Sequence, residues 1–253
     1  MLLTFADRQQ MIATLSGGIV ATMAELGVYK GQFAEFCSRT ICPQRHVLVD
    51  FWDYNSYEFV LAAAPQNAGR QKIFEDYFDG NPSEVLAAAY QQVLKMFVDN
   101  PSVEVLKADI ADAASRFPDE SFDIIYLDGN HTYEFVLRDL YTWFPKLKKG
   151  GLFICNDFFE SALAAKQNIG VIPAFQSFSK RFPVHPIALS LSDWSDLYFS
   201  NQQSSLLIER LQSGLVYAGQ KVLEVPAEML GGYHHRIFDL TPEGRYLLPS
   251  FRT

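Results

Sequence analysis

The chain has 253 residues of which 49% are hydrophobic, enough to bury a large core, and α/β chains of this length are often single units. A formal net charge of -8 sets an average field that repels nucleic-acid phosphates and anionic membranes, which excludes both as partners. Three cysteines without Cys-x-x-Cys spacing, an early Asp7 and Arg8, and no long apolar run exclude a disulfide framework, a secretion signal and a bilayer span, leaving a reducing cytoplasm as the expected setting.

Short apolar segments rich in β-branched and aromatic residues alternate with segments of helical period, the pattern of an α/β fold with a mostly parallel sheet. The first strand is expected over Ile19–Val28 with its turn at Gly27, and the helix after it carries Phe33, Phe36, Cys37 and Ile41 on one face. The second strand is His46–Phe51, and the pattern blurs into a polar and aromatic insertion between Asn55 and Gly80. Asn81-Pro82-Ser83-Glu84 then starts a helix whose buried stripe is Leu86, Ala89, Val93 and Phe97.

Val103–Ala108 and Phe122–Leu127 are the third and fourth strands. A helix with Tyr133, Val136, Leu140, Trp143 and Leu147 on one side leads through Lys149-Gly150-Gly151 to the fifth, Leu152–Cys155. Lys146, Lys148 and Lys149 read as cations suited to that helix's negative pole. After a helix near Ala174–Phe182, the strands Ile187–Leu191 and Asp196–Ser200 are so close that they must pair antiparallel. Residues 1–201 form the catalytic unit in this reading, and 202–253 an appended helix near Leu206–Leu215 with an irregular tail that can cover a neighbour's site in a homo-oligomer.

Four of the five parallel strands close on acids or amides: Asp50, Asp109, Asp128 and Asn156-Asp157. Ligands of open α/β sheets bind outside the carboxyl ends of the strands, so together these residues point to a site, whereas each alone reads equally as a turn or helix cap. The first loop is Glu25-Leu26-Gly27-Val28-Tyr29-Lys30-Gly31. Gly27 allows a sharp turn and Gly31 close helix packing, but Tyr29 replaces the middle glycine that admits a pyrophosphate, which weakens a nicotinamide or flavin reading. Asp50 lies 23 positions after Gly27, close to the separation of about 20 for an acid that accepts from ribose hydroxyls. Trp52 can lie against an adenine and Asp109, with Ile110 beside it, can meet the adenine amine, with core packing and capping as the other readings.

Phe122-Asp123-Ile124-Ile125-Tyr126-Leu127 runs into Asp128-Gly129-Asn130-His131-Thr132-Tyr133-Glu134, followed by Leu147-Lys148-Lys149-Gly150-Gly151. These segments and the Glu25–Gly31 loop resemble class I S-adenosylmethionine-dependent methyltransferases, particularly the branch of small-molecule and sugar O-methyltransferases. The resemblance spans roughly Ile19–Ser200 and implies a Rossmann-like, doubly wound sheet of seven strands, the last antiparallel. It implies that the loop with Glu25, Gly27, Tyr29 and Gly31 meets the cofactor's methionyl part, that Asp50 holds its ribose and that Asp109 lies near the adenine; Trp52, Ile110 and Asp128 complete the expected cofactor-binding set. Some relatives bind a divalent cation through the positions of Asp128, Asn156 and Asp157, hard oxygen donors that suit Mg2+, although the Asn-Asp order departs from patterns with two acids.

Methyl transfer to a hydroxyl requires loss of its proton. His131, with Asp128 beside it, is the candidate base, and loop ordering is its alternative role. The expected activity is therefore O-methylation of a small molecule or sugar. An NAD(P)-dependent oxidoreductase and a non-catalytic binding module on the same fold are the rival readings.

Overall fold

In the computed structural model, residues 1–53, 78, 80–159, 169–192, 194–241 and 244–251 are described. The insertion expected between Asn55 and Gly80 lies almost wholly outside them.

β1 (Leu2–Thr4) and α1 (Arg8–Ala13) open the chain. The Asp7 side chain accepts from the Gln10 amide at 2.8 Å and the Gln10 side chain accepts from the Asp7 amide at 3.0 Å, a reciprocal box that starts α1. β2 (Thr22–Leu26), α2 (Gln32–Thr40) and β3 (Arg45–Asp50) follow. β2 is shorter than the expected Ile19–Val28: Asp123 accepts from the amides of Ala21 and Thr22 at 2.9 and 2.8 Å before the strand begins, and Gly27 leaves it at φ 94°.

α3 (Pro82–Phe97) is capped by the Asn81 side chain and buries Leu86, Ala89, Val93 and Phe97, the four expected residues. Next come β4 (Val103–Lys107), α4 (Ile110–Ala114), β5 (Phe122–Leu127), α5 (Tyr133–Trp143) and β6 (Leu147–Cys155). β6 starts earlier than the expected Leu152. Leu147 pairs with Phe122 and Leu152 with Ile124, so Gly150 and Gly151 lie in a bulge within the strand rather than in a turn before it. α6 (Val171–Ser179), β7 (His185–Ser190), β8 (Leu197–Ser200) and α7 (Leu206–Tyr217) lead to β9 (Val222–Glu224), β10 (Tyr233–Thr241) and β11 (Gly244–Phe251).

The main sheet has nine strands, not seven, in the order β4-β3-β2-β5-β6-β8-β7-β1-β9. The seven expected strands are all in it, with β8 antiparallel between β6 and β7. The two additions are β1, parallel to β7, and β9, antiparallel to β1. Each is three residues long, too short to show a period of two in the sequence. The end of the chain is likewise not an irregular tail, since β9 extends the main sheet and β10 pairs with β11 in a second one.

Alternate residues of the central strands enter two cores. Phe122, Ile125, Leu127, Phe153 and Cys155 face one layer with Val136, Leu140 and Trp143 of α5. Met23, Ile124, Tyr126, Leu152 and Ile154 face the other, covered by α1, Cys37 of α2, and Leu207, Ile208, Leu211 and Leu215 of α7. Burial on both faces is why these strands read as near-continuous apolar runs. The three cysteines are unpaired. Among the described residues no helix is long and apolar enough to cross a membrane.

Candidate active site

From β2 the chain moves outward to β3 and β4, then returns to place β5 on the other side of β2. This reversal opens a crevice at the tips of β2 and β5, where Gly27 meets Asp128. The Asp128 amide donates to the Leu26 carbonyl at 2.7 Å, and the Gly27 amide donates to the Val49 carbonyl at 2.8 Å. A Cβ on Gly27 would lie 2.0 Å from the Asp128 carbonyl oxygen, and its φ of 94° is in the left-handed region, so the crossing requires glycine. Gly31 caps α2 at φ 78°, and a Cβ there would come 2.9 Å from Val93 of α3, the close helix packing expected of it.

A cavity of about 540 Å³ opens above the crevice, a size suited to a small-molecule ligand. Its lining includes every residue singled out in the sequence except Gly31: Glu25, Gly27, Tyr29, Asp50, Trp52, Asp109, Ile110, Asp128, His131, Asn156 and Asp157. Trp194 also lines the cavity, whereas Phe158, Phe159 and Phe175 are buried in the core.

Asp50 is committed to the backbone of the loops around it. Its Oδ2 accepts from the amides of Val28 at 2.8 Å and Tyr29 at 2.9 Å, and its Oδ1 from the Trp52 amide at 2.9 Å. Tyr29 and Trp52 have φ of 50° and 41°, unusual for bulky residues, and the Trp52 indole donates to the Tyr29 carbonyl at 2.8 Å, locking the two loops together. Trp52 is buried and packs on Tyr90, so its ring forms wall rather than lid. Asp109 caps α4 through the amides of Ala111 and Asp112 and also pairs with Arg138 at 3.1 Å. Ile110 forms the adjoining wall, its carbonyl accepting from the Trp143 indole at 2.7 Å. Burial raises the Asp139 carboxyl to about 7, against the pull of Arg138.

The floor beneath β5 and β6 is a charge network. Arg8 of α1 reaches Asp128 Oδ2 at 3.2 Å and lies over the Phe33 ring. His131 Nε2 is 3.4 Å from Asp128 Oδ1, and its Nδ1 is 3.1 Å from Asp157 Oδ2. Burial alone would depress the His131 pKa, but Asp157 and Asp128 outweigh it and raise it to about 9. Burial pushes the Asp157 carboxyl upward against the pull of His131. Behind them the Asn156 amide donates to Asp196 Oδ1 at 2.8 Å, and burial raises Asp196 to about 7.

This arrangement is a poor fit for a divalent cation. Arg8 and His131 occupy the carboxylates of Asp128 and Asp157, the Asn156 amide faces Asp196, and no three His, Cys, Asp or Glu among the described residues form a metal-binding group. The fit to a cationic sulfonium cofactor is better. Glu25 lines the cavity floor with Oε2 buried and without a hydrogen-bond partner. Burial together with the Asp128 and Asp50 carboxylates, against the pull of Arg8, pushes its carboxyl well above the usual range, so a cation placed there would stabilise its charged form.

Arg8, Arg138, Asp139 and Asp196 are site residues that the strand-end pattern did not reveal. A usable signal existed for Arg8, because Asp7-x-x-Gln10 is a capping box that places it in the first turn of a helix. Nothing in the sequence pattern marks Asp196, which becomes part of the network only through the insertion of β8 beside β6.

The strand order and the acid-lined crevice at its reversal define the class: a Rossmann-like methyltransferase fold, mostly parallel with an antiparallel edge. A family model described as a methyltransferase domain matches residues 24–158, more than half of the chain, which therefore belongs to that family of methyltransferases. No curated protein matches it.

The fold is similar to that of cofactor-bound Rv0187 from MTB, at TM-score 0.50 and 14% identity, over 79% of this chain and 81% of that one. It is also similar to N-methyltransferase NodS from Bradyrhizobium japonicum WM9, at TM-score 0.49 and 14% identity over 77% and 93% of the two chains. Spermidine synthase from Thermotoga maritima aligns at TM-score 0.49 and 18% identity over 87% of this chain, which spans 66% of that protein, just under two thirds.

Proposed function

We propose that this enzyme transfers the methyl group of S-adenosylmethionine to a hydroxyl oxygen of a small molecule, in the cytoplasm and without a metal ion. The observation that carries this reading is the convergence of Glu25, Gly27, Asp50 and Asp109 with the His131–Asp157 pair in one cavity of about 540 Å³. When bound, the cofactor supplies an electrophilic methyl group on a positively charged sulfur.

The residues of the chain then have separable tasks. Asp50 fixes the Gly27 loop through the amides of Val28 and Tyr29, so the nucleoside side of the cavity is formed before binding. The unpartnered Glu25 carboxyl and the surrounding aspartates favour a cation over the phosphates of a nicotinamide cofactor, and Tyr29 fills the position a pyrophosphate would need. The acceptor's proton passes to Nε2 of His131, which has no hydrogen-bond partner, while Asp157 holds the ring through Nδ1 and the resulting imidazolium lies beside the Asp128 carboxylate. With a pKa near 9 the imidazole is a proton acceptor on the alkaline side of neutrality, which suits a hydroxyl that must be deprotonated as it attacks.

Titration calorimetry with S-adenosylhomocysteine and NADH, followed by transfer of labelled methyl from S-adenosylmethionine to a panel of phenols, sugars and amines, tests the reading. Binding of S-adenosylhomocysteine and labelling of hydroxyl acceptors is the expected result. Labelling confined to amines, or binding of NADH alone, overturns it.

A further inference from the structure

Glu25 of β2 and His46 of β3 sit inside the sheet, each almost wholly buried, on adjacent parallel strands whose register pairs Met23 with His46 and Glu25 with Leu48. Their side chains therefore leave the same face and meet beneath α2. Glu25 Oε2 and His46 Nε2 are 3.8 Å apart, and neither has a hydrogen-bond partner. That separation is too long for a hydrogen bond and too short to hold a bridging water. Buried polar groups left unmatched are costly, by about 1–3 kcal/mol each, so two of them facing each other call for a state in which they are satisfied.

The surroundings say which state. Glu25 lines the main cavity, whereas His46 lines a separate polar hollow with Ser38, Cys42, Asn100 and Ser102. The Ser38 hydroxyl is 3.0 Å from His46 Nδ1. If that hydroxyl donates, Nδ1 is the acceptor and the ring proton is on Nε2, aimed at the carboxyl of Glu25. Ser38, His46 and Glu25 thus form a line from the back of the sheet to the floor of the cavity.

We infer that His46 is a positioning residue that orients the Glu25 carboxylate toward the ammonium of the cofactor's amino-acid portion, with Ser38 fixing its tautomer. This rests on the cofactor reading given above. A cation at the cavity floor favours the charged carboxylate, and the His46 Nε2–H, 3.8 Å from Oε2, is placed to stabilise it from behind. The amino-acid half of the ligand is recognised through this line and the nucleoside half is not.

Calorimetry with two ligands separates the halves: S-adenosylhomocysteine, which carries the amino acid, and 5′-methylthioadenosine, which lacks it. His46→Leu is expected to weaken S-adenosylhomocysteine about ten- to a hundredfold, the loss of one hydrogen bond to a charged group, and to leave 5′-methylthioadenosine unchanged. His46→Gln, which keeps a donor near Nε2, should restore affinity to within about twofold. Ser38→Ala removes only the tautomer lock on a half-exposed helix face, and should give a smaller loss of the same selectivity even if His46→Leu fails to fold.

Equal affinity of His46→Leu and wild type for S-adenosylhomocysteine, or equal weakening of both ligands by Ser38→Ala, overturns the inference while leaving the methyltransferase assignment in place. Failure of the wild type to bind either ligand would instead overturn the cofactor reading, and the inference with it.

Discussion

His131 Nδ1 lies 3.1 Å from Oδ2 of Asp157, an aspartate held at φ 55° so that its carboxylate turns back over the end of β6. The pair couples the proton inventory of the cavity to the stability of the fold. His131 has a folded pKa of about 9 against 6.5 for a free imidazole, so its contribution is complete below about 6.5 and is lost as pH rises through 9. Asp139 and Asp196, raised by burial to about 7 from 3.8, act in the same direction at lower pH, since an acid kept protonated by the fold loses that contribution as it ionises. His46, depressed by burial to about 3, works in the opposite direction and matters only as pH falls from 6.5 toward 3.

The expected outcome is a melting temperature that falls between pH 6.5 and 9, with His131→Asn flattening the slope. Scanning fluorimetry across that range is the check. A flat wild-type profile would mean that the imidazolium is not held by Asp157.

The same pKa governs turnover if His131 takes the acceptor's proton. The rate at limiting substrate should climb from neutral pH, reach half its maximum near 9 and level off above it, opposite in trend to the stability over the same interval. For His131→Ala we expect kcat to fall about 10²-fold or more, the usual worth of a general base, with S-adenosylhomocysteine affinity retained. A kcat within a few-fold of wild type at every pH would leave His131 with only a loop-ordering role.

Gly27→Ala tests the crossing of β2 and β5 rather than the chemistry. The new methyl group would overlap the Asp128 carbonyl, and Asp128 is held against the strand tip by its amide, which donates to the Leu26 carbonyl at 2.7 Å. With the left-handed φ added, destabilisation of about 3 kcal/mol or more is expected in urea unfolding, together with loss of ligand binding. A variant with native stability would show that the two strand tips are less tightly apposed than the register implies.

The strand ends were the legible part of the site. Each of Asp50, Asp109, Asp128 and Asp157 follows an apolar run whose direction is fixed by the α/β alternation, so their convergence could be read without coordinates. What each carboxylate does was not legible, because that depends on neighbours far apart in sequence. Asp109 binds both its own helix start and Arg138, and Asp128 is engaged by Arg8, 120 positions away. The added strands β1 and β9 were hidden for a related reason. A three-residue strand has too few positions to show alternation, and its existence is decided by the free edge of β7 rather than by its own composition.

Asp50 illustrates the difference in a measurable way. A carboxylate that only received ribose hydroxyls would leave stability unchanged when removed, but this one accepts three backbone amides in loops with two left-handed bulky residues. Asp50→Ala should therefore cost about 2–4 kcal/mol of stability as well as ligand affinity, while Asp50→Asn, which keeps one acceptor oxygen, should fall between. Chemical denaturation and calorimetry on the same samples separate the two effects, and an Asp50→Ala protein of native stability would return Asp50 to a purely ligand-facing role.

Arg8 offers the most selective probe of the network, because α1 lies outside the segment matched by the family model and yet supplies a cation to the centre of the site. Its pairing with Asp128 is partly exposed, so Arg8→Met, which preserves the stem packed over Phe33, is expected to change stability by less than about 1 kcal/mol. The electrostatic consequence is larger and has a definite sign. Arg8 opposes protonation of His131, so its removal should move the alkaline limb of the pH–rate profile to higher pH and lower the rate at neutrality. A limb that stays in place, or moves toward acid, would show that Arg8 and His131 do not share one field, and the proton acceptor would then have to be sought elsewhere in the cavity.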